Sequence, residues 1–428
     1  MREVLPYVEH LESLVAQAPA RASDWLSKTK LALDGEPGRN LARLVSLESR
    51  RNSGAFFTGS ILAQKAVTGR VTQEQSITVF DPTCGAGDLL LAAANKLPIR
   101  PSLPATLAFW GSRLAGSDSH IEFVRAAKAR LTLLALQRGA HPSSNEPLDL
   151  NSILPLIKVG DSLRETATYA GADWILVNPP YGYVVAPPGC AWGAGKITAA
   201  ALFFEKCLQN CATGTRITAI LPEVLRSGSR YERWRQMVAV HSRVHRVEPY
   251  GLFDSSADID VFILEVTKRT DTKPHSVNWG IAPTPSSQSI ADAFAVHVGA
   301  VVPHRHKQQG PLVAYVHARG LTHWTEVRRL SEKRRFTGRL FQPPFVVIRR
   351  TSRPEETHRA IGTIITGKRP VAVENHLIVC LPLDQNLARC QKLLRQLKGE
   401  SASRWLNTRI RCRHLTVTAI RELPWSAR

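Results

Sequence analysis

The sequence lacks the patterns of disulfide-rich, zinc-binding and membrane-spanning proteins. Its seven cysteines form no Cys-x-x-Cys pair and have no histidine at ligand spacing, so neither a disulfide framework nor a metal site is predicted. No segment reaches the roughly 18 consecutive apolar residues of a membrane span. Residues 1–30 mix charged with apolar positions and contain no signal-peptide core. We therefore expect a cytoplasmic protein with no membrane partner.

The glycine-rich stretches also lack complete nucleotide-binding fingerprints. The turn GAG (85–87) follows a strand-like run, but Leu90 stands where the dinucleotide fingerprint needs its third glycine. In GCAWGAGKIT (189–198), Cys190 replaces the first glycine of a phosphate loop and Ile197 follows the lysine. Binding of NAD and hydrolysis of nucleotides are therefore disfavoured.

Positive charge is concentrated in the last third of the chain. Residues 301–428 contain 25 Lys and Arg against 8 Asp and Glu, whereas residues 1–300 contain 31 against 27. The chain has 428 residues, of which 43% are apolar, which is enough for two or more domains with their own cores. A near-neutral body followed by a strongly basic region indicates a catalytic part joined to a part that binds a polyanion. A basic face without a partner is the alternative.

Short β-rich runs alternate with helical patterns between residues 77 and 266. This alternation predicts a doubly wound α/β fold with a mostly parallel sheet. Two amphipathic helices (3–17 and 24–33) precede it, and DGEPGRN (34–40) predicts a break after them. The expected strands are 77–80, 113–118, 156–160, 173–177, 216–222 and 260–266, and the expected helices between them are 88–97, 121–137 and 200–211.

Three of the expected strands end in an aspartate or are directly followed by one: Asp81, Asp118 and Asp161. Each alone would be an ordinary helix N-cap. Because the carboxyl ends of parallel strands lie at one edge of a sheet, the three together suit a ligand with a ribose diol, an adenine amine and a cationic group. The tetrapeptide NPPY (178–181) follows strand 173–177, and its prolines exclude a strand or helix interior. It is therefore a rigid loop at the same edge.

The order of these motifs resembles that of the S-adenosylmethionine-dependent DNA adenine amino-methyltransferases. Within that group it resembles type II restriction-modification methylases in which the methyl-donor motifs come first and the target-recognition region last. One departure is Gly59, where the family usually has proline after the threonine. The motifs that carry the resemblance are GAFFTG (54–59), DPTCGAG (81–87), GSD (116–118), GDSL (160–163), NPPY (178–181) and ILPEVLRSG (220–228).

The resemblance implies a fold and a domain organisation. The fold is a Rossmann-like, doubly wound class I methyltransferase sheet. An N-terminal helical segment (1–50) would precede a catalytic domain (51–275), and a basic target-recognition region (285–428) would follow.

The resemblance also implies roles for individual residues. The catalytic loop is Asn178, Pro179, Pro180 and Tyr181, in which the side-chain oxygen of Asn178 and the carbonyl of Pro179 accept hydrogen bonds from the adenine amine. Tyr181 would stack on a base that has left the duplex. Phe253 is a candidate second ring, with an ordinary core aromatic as the equal alternative. S-adenosylmethionine would contact Phe57, Thr58, Asp81, Thr83, Gly85, Gly87, Asp118, Asp161, Ser162, Asn178 and Pro180.

The basic region resembles the part of type II methylases that grips and reads the duplex. The segments that carry this likeness are 298–305, 343–356, 373–382 and 410–424. Double-stranded DNA is thus the expected partner. A cognate restriction endonuclease would be a separate protein, because the acid, acid, lysine cluster of such nucleases is missing. DNA contacts are expected from Arg305, Arg349, Arg350, His376, Arg411 and Arg413.

Other targets of an NPPY loop stay open at this point. Methylation of cytosine N4 is one, although those enzymes more often have Ser at the position of Asn178, whereas carbon-5 methylation needs a Pro-Cys that the sequence lacks. RNA guanine and release-factor glutamine are others, but the glutamine enzymes are shorter and have no basic C-terminal module. The last alternative is a catalytically silent DNA-binding subunit, against which the intact acids and loop argue.

Overall fold

The computed structural model describes residues 2–18, 24–53, 56–68, 77–142, 149–165, 167–253, 259–271, 273, 275–281 and 288–425. The chain forms two compact units. The first comprises Met1–Leu225 and Arg230–Asn278, and the second comprises Arg226–Ser229 and Trp279–Arg428.

The first unit is built on a seven-stranded sheet. Its order is β3-β2-β1-β4-β7-β9-β8, and β5 and β6 form a separate antiparallel hairpin. The strands are β1 (Val79–Asp81), β2 (Leu114–Asp118), β3 (Ile157–Val159), β4 (Trp174–Val177), β5 (Tyr183–Val185), β6 (Lys196–Thr198), β7 (Arg216–Pro222), β8 (Ser242–Leu252) and β9 (Asp260–Lys268).

The sheet is doubly wound, as the sequence predicts. Strand β1 pairs in parallel with both β2 and β4, and β4 pairs in parallel with β7, while β9 runs antiparallel to its two neighbours. The chain therefore passes from β1 outward to β3 and then returns to the other side of β1 at β4. Right-handed crossovers in these two directions cover both faces of the sheet with helices. The order reverses between β1 and β4, and ligands of such sheets bind at this switch point.

Helix α8 forms the centre of one helix layer. It packs against α1, α2, α6 and α7 and against β2 and β3, which explains why most of its residues are buried. The helices of the first unit are α1 (Leu5–Ala16), α2 (Trp25–Leu33), α3 (Glu36–Leu44), α4 (Leu47–Ser53), α5 (Ser60–Ala66), α6 (Asp88–Ala94), α7 (Leu103–Gly111), α8 (Ile121–Gln137), α9 (Leu150–Ile153), α10 (Ala167–Ala170), α11 (Ala199–Asn210), α12 (Glu223–Ser227, which continues into the second unit) and α13 (Glu232–His241).

The predicted strands and helices are confirmed to within a few residues at their ends, with one correction. The break expected over residues 34–40 is confined to Asp34 and Gly35, because α3 begins at Glu36. Pro37 is accommodated in the first turn of this helix, where a missing N–H costs nothing, and Gly35 takes the left-handed conformation (φ 69°) at its N-cap. Strand β8 and the β5–β6 hairpin were not predicted.

The second unit contains a five-stranded sheet, β10-β17-β14-β15-β12, and a three-stranded sheet, β13-β11-β16. The strands are β10 (Phe294–Val298), β11 (Leu312–Val316), β12 (Glu326–Val327), β13 (Lys333–Arg335), β14 (Phe345–Arg349), β15 (Gly362–Ile365), β16 (Val371–Val373) and β17 (Leu377–Pro382). The helices are α14 (Leu387–Lys398), α15 (Glu400–Arg409) and α16 (Val417–Arg421).

Alternation along β14 shows how the second unit is layered. Val346 and Ile348 pack in the core formed with α14, α15 and α16. Phe345 and Val347 point to the opposite face and pack with residues of the three-stranded sheet. Because successive strand residues face opposite sides, the five-stranded sheet lies between a helix layer and a small second sheet. No helix among the described residues is long and apolar enough to cross a membrane.

Candidate active site

A cleft lies at the carboxyl ends of β1, β2, β3 and β4, at the switch point of the sheet. It brings together most of the side chains that the sequence assigns to the methyl donor. It is lined by Phe56, Phe57, Thr58, Asp81, Pro82, Thr83, Cys84, Gly85, Asp88, Leu89, Asp118, Ser119, His120, Phe123, Gly160, Asp161, Ser162, Asn178, Pro180 and Phe203.

The turn after β1 forms the floor of this cleft. Asp81 is buried, and its Oδ1 accepts a hydrogen bond from the backbone N–H of Thr83 over 3.0 Å. Gly85 has a φ of 50°, and a Cβ there would lie 3.0 Å from the ring of Phe57. A side chain at this position would therefore be strained and would narrow the cleft. Burial raises the pKa of the Asp81 carboxyl to about 8, and the carboxylates of Asp118 and Asp88 add to the rise.

The three predicted aspartates differ in exposure. Asp118 is mostly covered and accepts hydrogen bonds from the backbone N–H groups of Gly85 (3.1 Å) and His120 (2.9 Å). Asp161 has half of its side chain exposed and caps its own turn through the N–H of Leu163 at 3.0 Å. The edge of the sheet thus presents a buried, a partly covered and an open carboxylate in the order of β1, β2 and β3.

Asn178 is held at both ends of its side-chain amide. Its Nδ2 donates to Oγ1 of Thr58 over 2.9 Å, and its Oδ1 accepts from the hydroxyl of Tyr181 over 2.6 Å. Its backbone carbonyl accepts from Oγ1 of Thr83 at 3.2 Å. Because the amide nitrogen is directed to Thr58, the oxygen faces Tyr181.

Tyr181 and Phe253 form an aromatic pair beside Asn178. Their ring centroids are 5.5 Å apart at an interplanar angle of 79°, which is an edge-to-face contact. Burial raises the pKa of the Tyr181 hydroxyl well above its usual value, so this group remains a hydrogen-bond donor. Asn178 and Pro180 line the cleft, whereas Pro179 is buried and is not among the lining residues. Asn178 therefore joins the cleft to the aromatic pair.

Of the residues predicted to contact S-adenosylmethionine, Gly87 is the one that does not line the cleft. It is the N-cap of α6 with a φ of 87°, and a Cβ there would lie 3.1 Å from the Cβ of Ala127 in α8. Its observed contribution is close packing between two helices. Two residues of the motif GAFFTG, Gly54 and Ala55, lie outside the described residues.

Asp88 and Arg130 hold the cleft together, and the sequence reasoning missed both. Oδ2 of Asp88 accepts from the backbone N–H of Gly59 (2.8 Å), and Oδ1 accepts from the fully buried guanidinium of Arg130 (2.9 Å). Arg130 also donates to the carbonyl of Ala86 (2.6 Å). The ion pair ties the threonine-bearing segment to the glycine turn. Helix α8 also contains Glu122, Arg125 and Lys128, so no local signal in the sequence singles out Arg130.

The predicted DNA-contacting residues fall into two groups. Five make contacts within the second unit: Arg349 with Glu356, Arg350 with the carbonyl of Leu415, His376 with Glu374, Arg411 with Glu355, and Arg413 through its carbonyl with the N–H of Ser352. Arg305, whose backbone N–H donates to the carbonyl of Val302 (3.0 Å), also lines an open cleft of about 430 Å³ together with His306, Lys307, Gln309 and Arg339. Among the described residues, no group of three His, Cys, Asp or Glu side chains is arranged to hold a metal.

Comparison with solved structures supports the fold. The chain is similar to MmeI, a type IIL restriction-modification enzyme solved in complex with DNA, with a TM-score of 0.56, 12% identity, and coverage of 90% of this chain and 70% of that one. Fainter likenesses are to the type IIG restriction endonuclease BpuSI (TM-score 0.40, 13% identity, 89% of this chain and 58% of that one) and to the M protein of the type I restriction enzyme EcoKI (0.37, 15%, 55% and 49%).

At such identities these likenesses concern the fold alone. No protein-family model matches the chain, and no curated protein matches it in sequence. The strand order and the likeness to MmeI confirm the predicted fold, a Rossmann-like, doubly wound α/β sheet.

Proposed function

We propose that this chain transfers a methyl group from S-adenosylmethionine to the exocyclic N6 amine of adenine in double-stranded DNA. The observation that carries the proposal is the position of Asn178. Its amide oxygen lies at the junction of the carboxylate-edged cleft and the Tyr181–Phe253 pair, with the amide held through Thr58. A methyl donor on one side and a base on the other would meet at this residue.

The residues of the cleft fit S-adenosylmethionine. Asp118 and Asp161 offer carboxylate acceptors for a ribose diol and an adenine amine, and Asp81 offers a buried acid for the cationic end of the donor. Ser162 lines the same cleft, and its hydroxyl is buried without a hydrogen-bond partner among the described residues. A polar ligand would satisfy it. The donor supplies an electrophilic methyl group on a positively charged sulfur.

Catalysis at Asn178 is then a matter of orientation. The lone pair of an adenine amine is delocalised into the ring, which makes the amine a poor nucleophile. Accepting a hydrogen bond from each amine hydrogen, at Oδ1 of Asn178 and at the carbonyl of Pro179, draws the lone pair out of conjugation and directs it toward the methyl group. The two prolines hold the backbone of the loop and Thr58 holds the amide of Asn178, so little reorganisation is needed during the reaction.

The base must leave the duplex to reach these acceptors, because an amine inside the stack is inaccessible. Tyr181 and Phe253 provide an aromatic surface on which the base stacks. This stacking contributes roughly 1–3 kcal/mol, which offsets part of the cost of extrusion. The basic second unit would hold the surrounding DNA, as its charge suits phosphate. In this account the chain is the modification enzyme of a restriction-modification or related defence system in a bacterial cytoplasm, and cleavage is done by a separate endonuclease.

The proposal is tested by incubating the purified chain with labelled S-adenosylmethionine and random-sequence duplex DNA, followed by nucleoside analysis. Label in N6-methyladenine is the expected result. Label in N4-methylcytosine would redirect the assignment to the cytosine amine, which the same acceptors can also bind. Label in RNA or protein alone, or no transfer at all, would reject it.

A further inference from the structure

The hairpin that follows Tyr181 presents apolar side chains to solvent. Tyr183 is 66% exposed and Val185 75% exposed, and both lie on β5. Successive strand residues face opposite sides, so these two share one face of the hairpin while Val184 faces the other. Single exposed apolar residues are common, but an adjacent aromatic and aliphatic pair on one strand face marks a contact surface.

The hairpin is anchored, so this surface has a fixed shape. Backbone hydrogen bonds close it between Ala186 and Gly195 (2.8 Å) and between Ala199 and Gly182 (2.8 Å). Trp192, in the connecting loop, is buried with its ring 6.5 Å from that of Tyr231. The Tyr231 hydroxyl also accepts a hydrogen bond from the N–H of Thr198 in β6 at 2.9 Å.

The exposed face lies next to the proposed base site. Tyr183 is two residues beyond Tyr181, which in extended chain is roughly 7 Å. Oγ1 of Thr198 donates to the carbonyl of Tyr181 at 3.3 Å, which ties β6 to the catalytic loop. Lys196, paired in register with Val185, is exposed on the same hairpin. An apolar strand face with a flanking cation complements a base stack bordered by phosphates.

We propose that this hairpin enters the duplex at the target base pair and that its Tyr183 and Val185 face fills the gap left in the stack by the extruded adenine. The inference rests on the proposed function. Extrusion costs unstacking as well as unpairing energy, and stacking on Tyr181 compensates only for the base itself. Apolar side chains inserted between base steps compensate for the gap. Tyr183 supplies a ring that stacks on the neighbouring base, and Lys196 contacts an adjacent phosphate.

The test is the variant Tyr183→Ala with Val185→Ala, compared with the unaltered chain on duplexes that carry 2-aminopurine or adenine at the target position. The matched control is Leu26→Ala with Leu31→Ala, which removes two exposed apolar residues from α2. On fully paired DNA the hairpin variant should lose most of the fluorescence rise that reports extrusion. It should also methylate roughly 10- to 100-fold more slowly, while the control behaves as the unaltered chain.

Rescue of the methylation rate on a modified duplex distinguishes gap filling by the hairpin from a purely structural role. A duplex with an abasic site opposite the target adenine has little unpairing and unstacking left to compensate, so the hairpin variant should methylate it at close to the rate of the unaltered chain. Donor binding should be the same for all three proteins. An unchanged rate on paired DNA, or an equal loss on the abasic duplex, would overturn the inference. If the unaltered chain methylates no duplex, it is the proposed function that has failed.

Discussion

The hydroxyl of Tyr181 donates a hydrogen bond to Oδ1 of Asn178 over 2.6 Å. This oxygen is the proposed acceptor for the adenine amine, so the hydroxyl occupies the place of the substrate hydrogen until a base arrives. The hydroxyl also lies 3.4 Å from the carbonyl of Ile220, which offers it a second acceptor when the base takes over Oδ1. The pair therefore satisfies two buried polar groups before the base binds.

Two substitutions of Tyr181 should distinguish the role of its ring from the role of its hydroxyl. Tyr181→Phe keeps the stacking surface and removes the competing donor, so methyl transfer should continue at an unchanged or higher rate. Tyr181→Ala removes the ring, and loss of roughly 1–3 kcal/mol of stacking should weaken capture of the extruded base by about 5- to 150-fold. Single-turnover rates measured over a range of duplex concentrations distinguish capture from transfer. A Phe variant as impaired as the Ala variant would show that the hydroxyl is itself needed.

Thr58 should act through Asn178. Thr58→Val keeps the shape of the side chain but leaves Nδ2 of Asn178 without its acceptor, which frees the amide to turn. Such a loss is worth about 1–3 kcal/mol and should slow transfer by roughly 5- to 150-fold. Thr58→Ser retains the hydroxyl and should restore most of the rate. Calorimetric titration with S-adenosylmethionine is the control, because a change in donor affinity without a change in the transfer rate would assign Thr58 to donor binding alone.

Binding of S-adenosylmethionine should be linked to proton release at Asp81. Burial raises the pKa of this carboxyl to about 8. At neutral pH this carboxyl is mostly protonated in the free protein, and the positive charge of the donor favours its ionised form. Affinity should therefore rise with pH up to about 8 and then level off. Heats of binding at pH 7 in buffers of different ionisation enthalpy should reveal the proton, and Asp81→Asn should abolish the linkage. Proton release of equal size in the Asn variant would contradict the assignment.

The same shift predicts the sign of a stability effect. The unfolded Asp81 carboxyl ionises near pH 4, whereas the folded one stays protonated until about pH 8. The folded state thus binds more protons in this window, so the free energy of unfolding should fall as pH rises through it. Asp81→Asn should unfold with a weaker pH dependence between these values, as urea titrations would show. A steeper pH dependence of the free energy of unfolding in the variant would contradict the predicted sign.

The open cleft of the second unit should contribute to DNA affinity. The variant Arg305→Gln, Lys307→Gln, Arg339→Gln removes three positive charges from its lining. If each of these side chains neutralises a phosphate, the salt slope of duplex binding should fall by roughly 0.9 for every phosphate that the variant leaves without a cation. Fluorescence anisotropy with a labelled duplex at several salt concentrations measures this.

The matched control for that experiment removes three exposed charges from the helix layer of the second unit, as Arg395→Gln, Lys398→Gln, Arg404→Gln. It should leave the slope nearly unchanged, because only phosphates that the protein neutralises release counterions. An equal fall in the salt slope of the two variants would mean that net charge, and not this cleft, sets the affinity.

The parts of the site that could be predicted from the sequence are those set by local chain geometry. Asp81 and Asp118 end parallel strands, and Asp161 follows a third, so a shared edge follows from the strand pattern alone. The rigid loop at Asn178 follows from its two prolines. These features need no knowledge of how distant segments pack.

The contacts that tune the site join residues far apart in the sequence. Thr58 and Asn178 are 120 positions apart, and Arg130 meets Asp88 across 42. Local motifs locate Thr58 and Asn178, but nothing local shows that these two residues meet or singles out Asp88 and Arg130. The fold of the second unit was harder to predict, because neighbouring strands in the order β10-β17-β14-β15-β12 are mostly not consecutive in the sequence. The glycine-rich segment 189–198 does not match a phosphate loop. It forms part of the β5–β6 hairpin, in which the side chain of Trp192 is buried.

The most direct test of the account is the rate of a single turnover in an Asn178→Ala variant. The substitution removes one of two acceptors for the amine and leaves the three aspartates and Tyr181 in place. Labelled methyl transfer to adenine-containing duplexes should therefore slow by about 100- to 1,000-fold, while binding of S-adenosylmethionine and of the duplex persists. Asn178→Asp, which keeps an acceptor oxygen, should be less impaired. Transfer by the Ala variant at the rate of the unaltered chain would show that this loop is only a rigid turn.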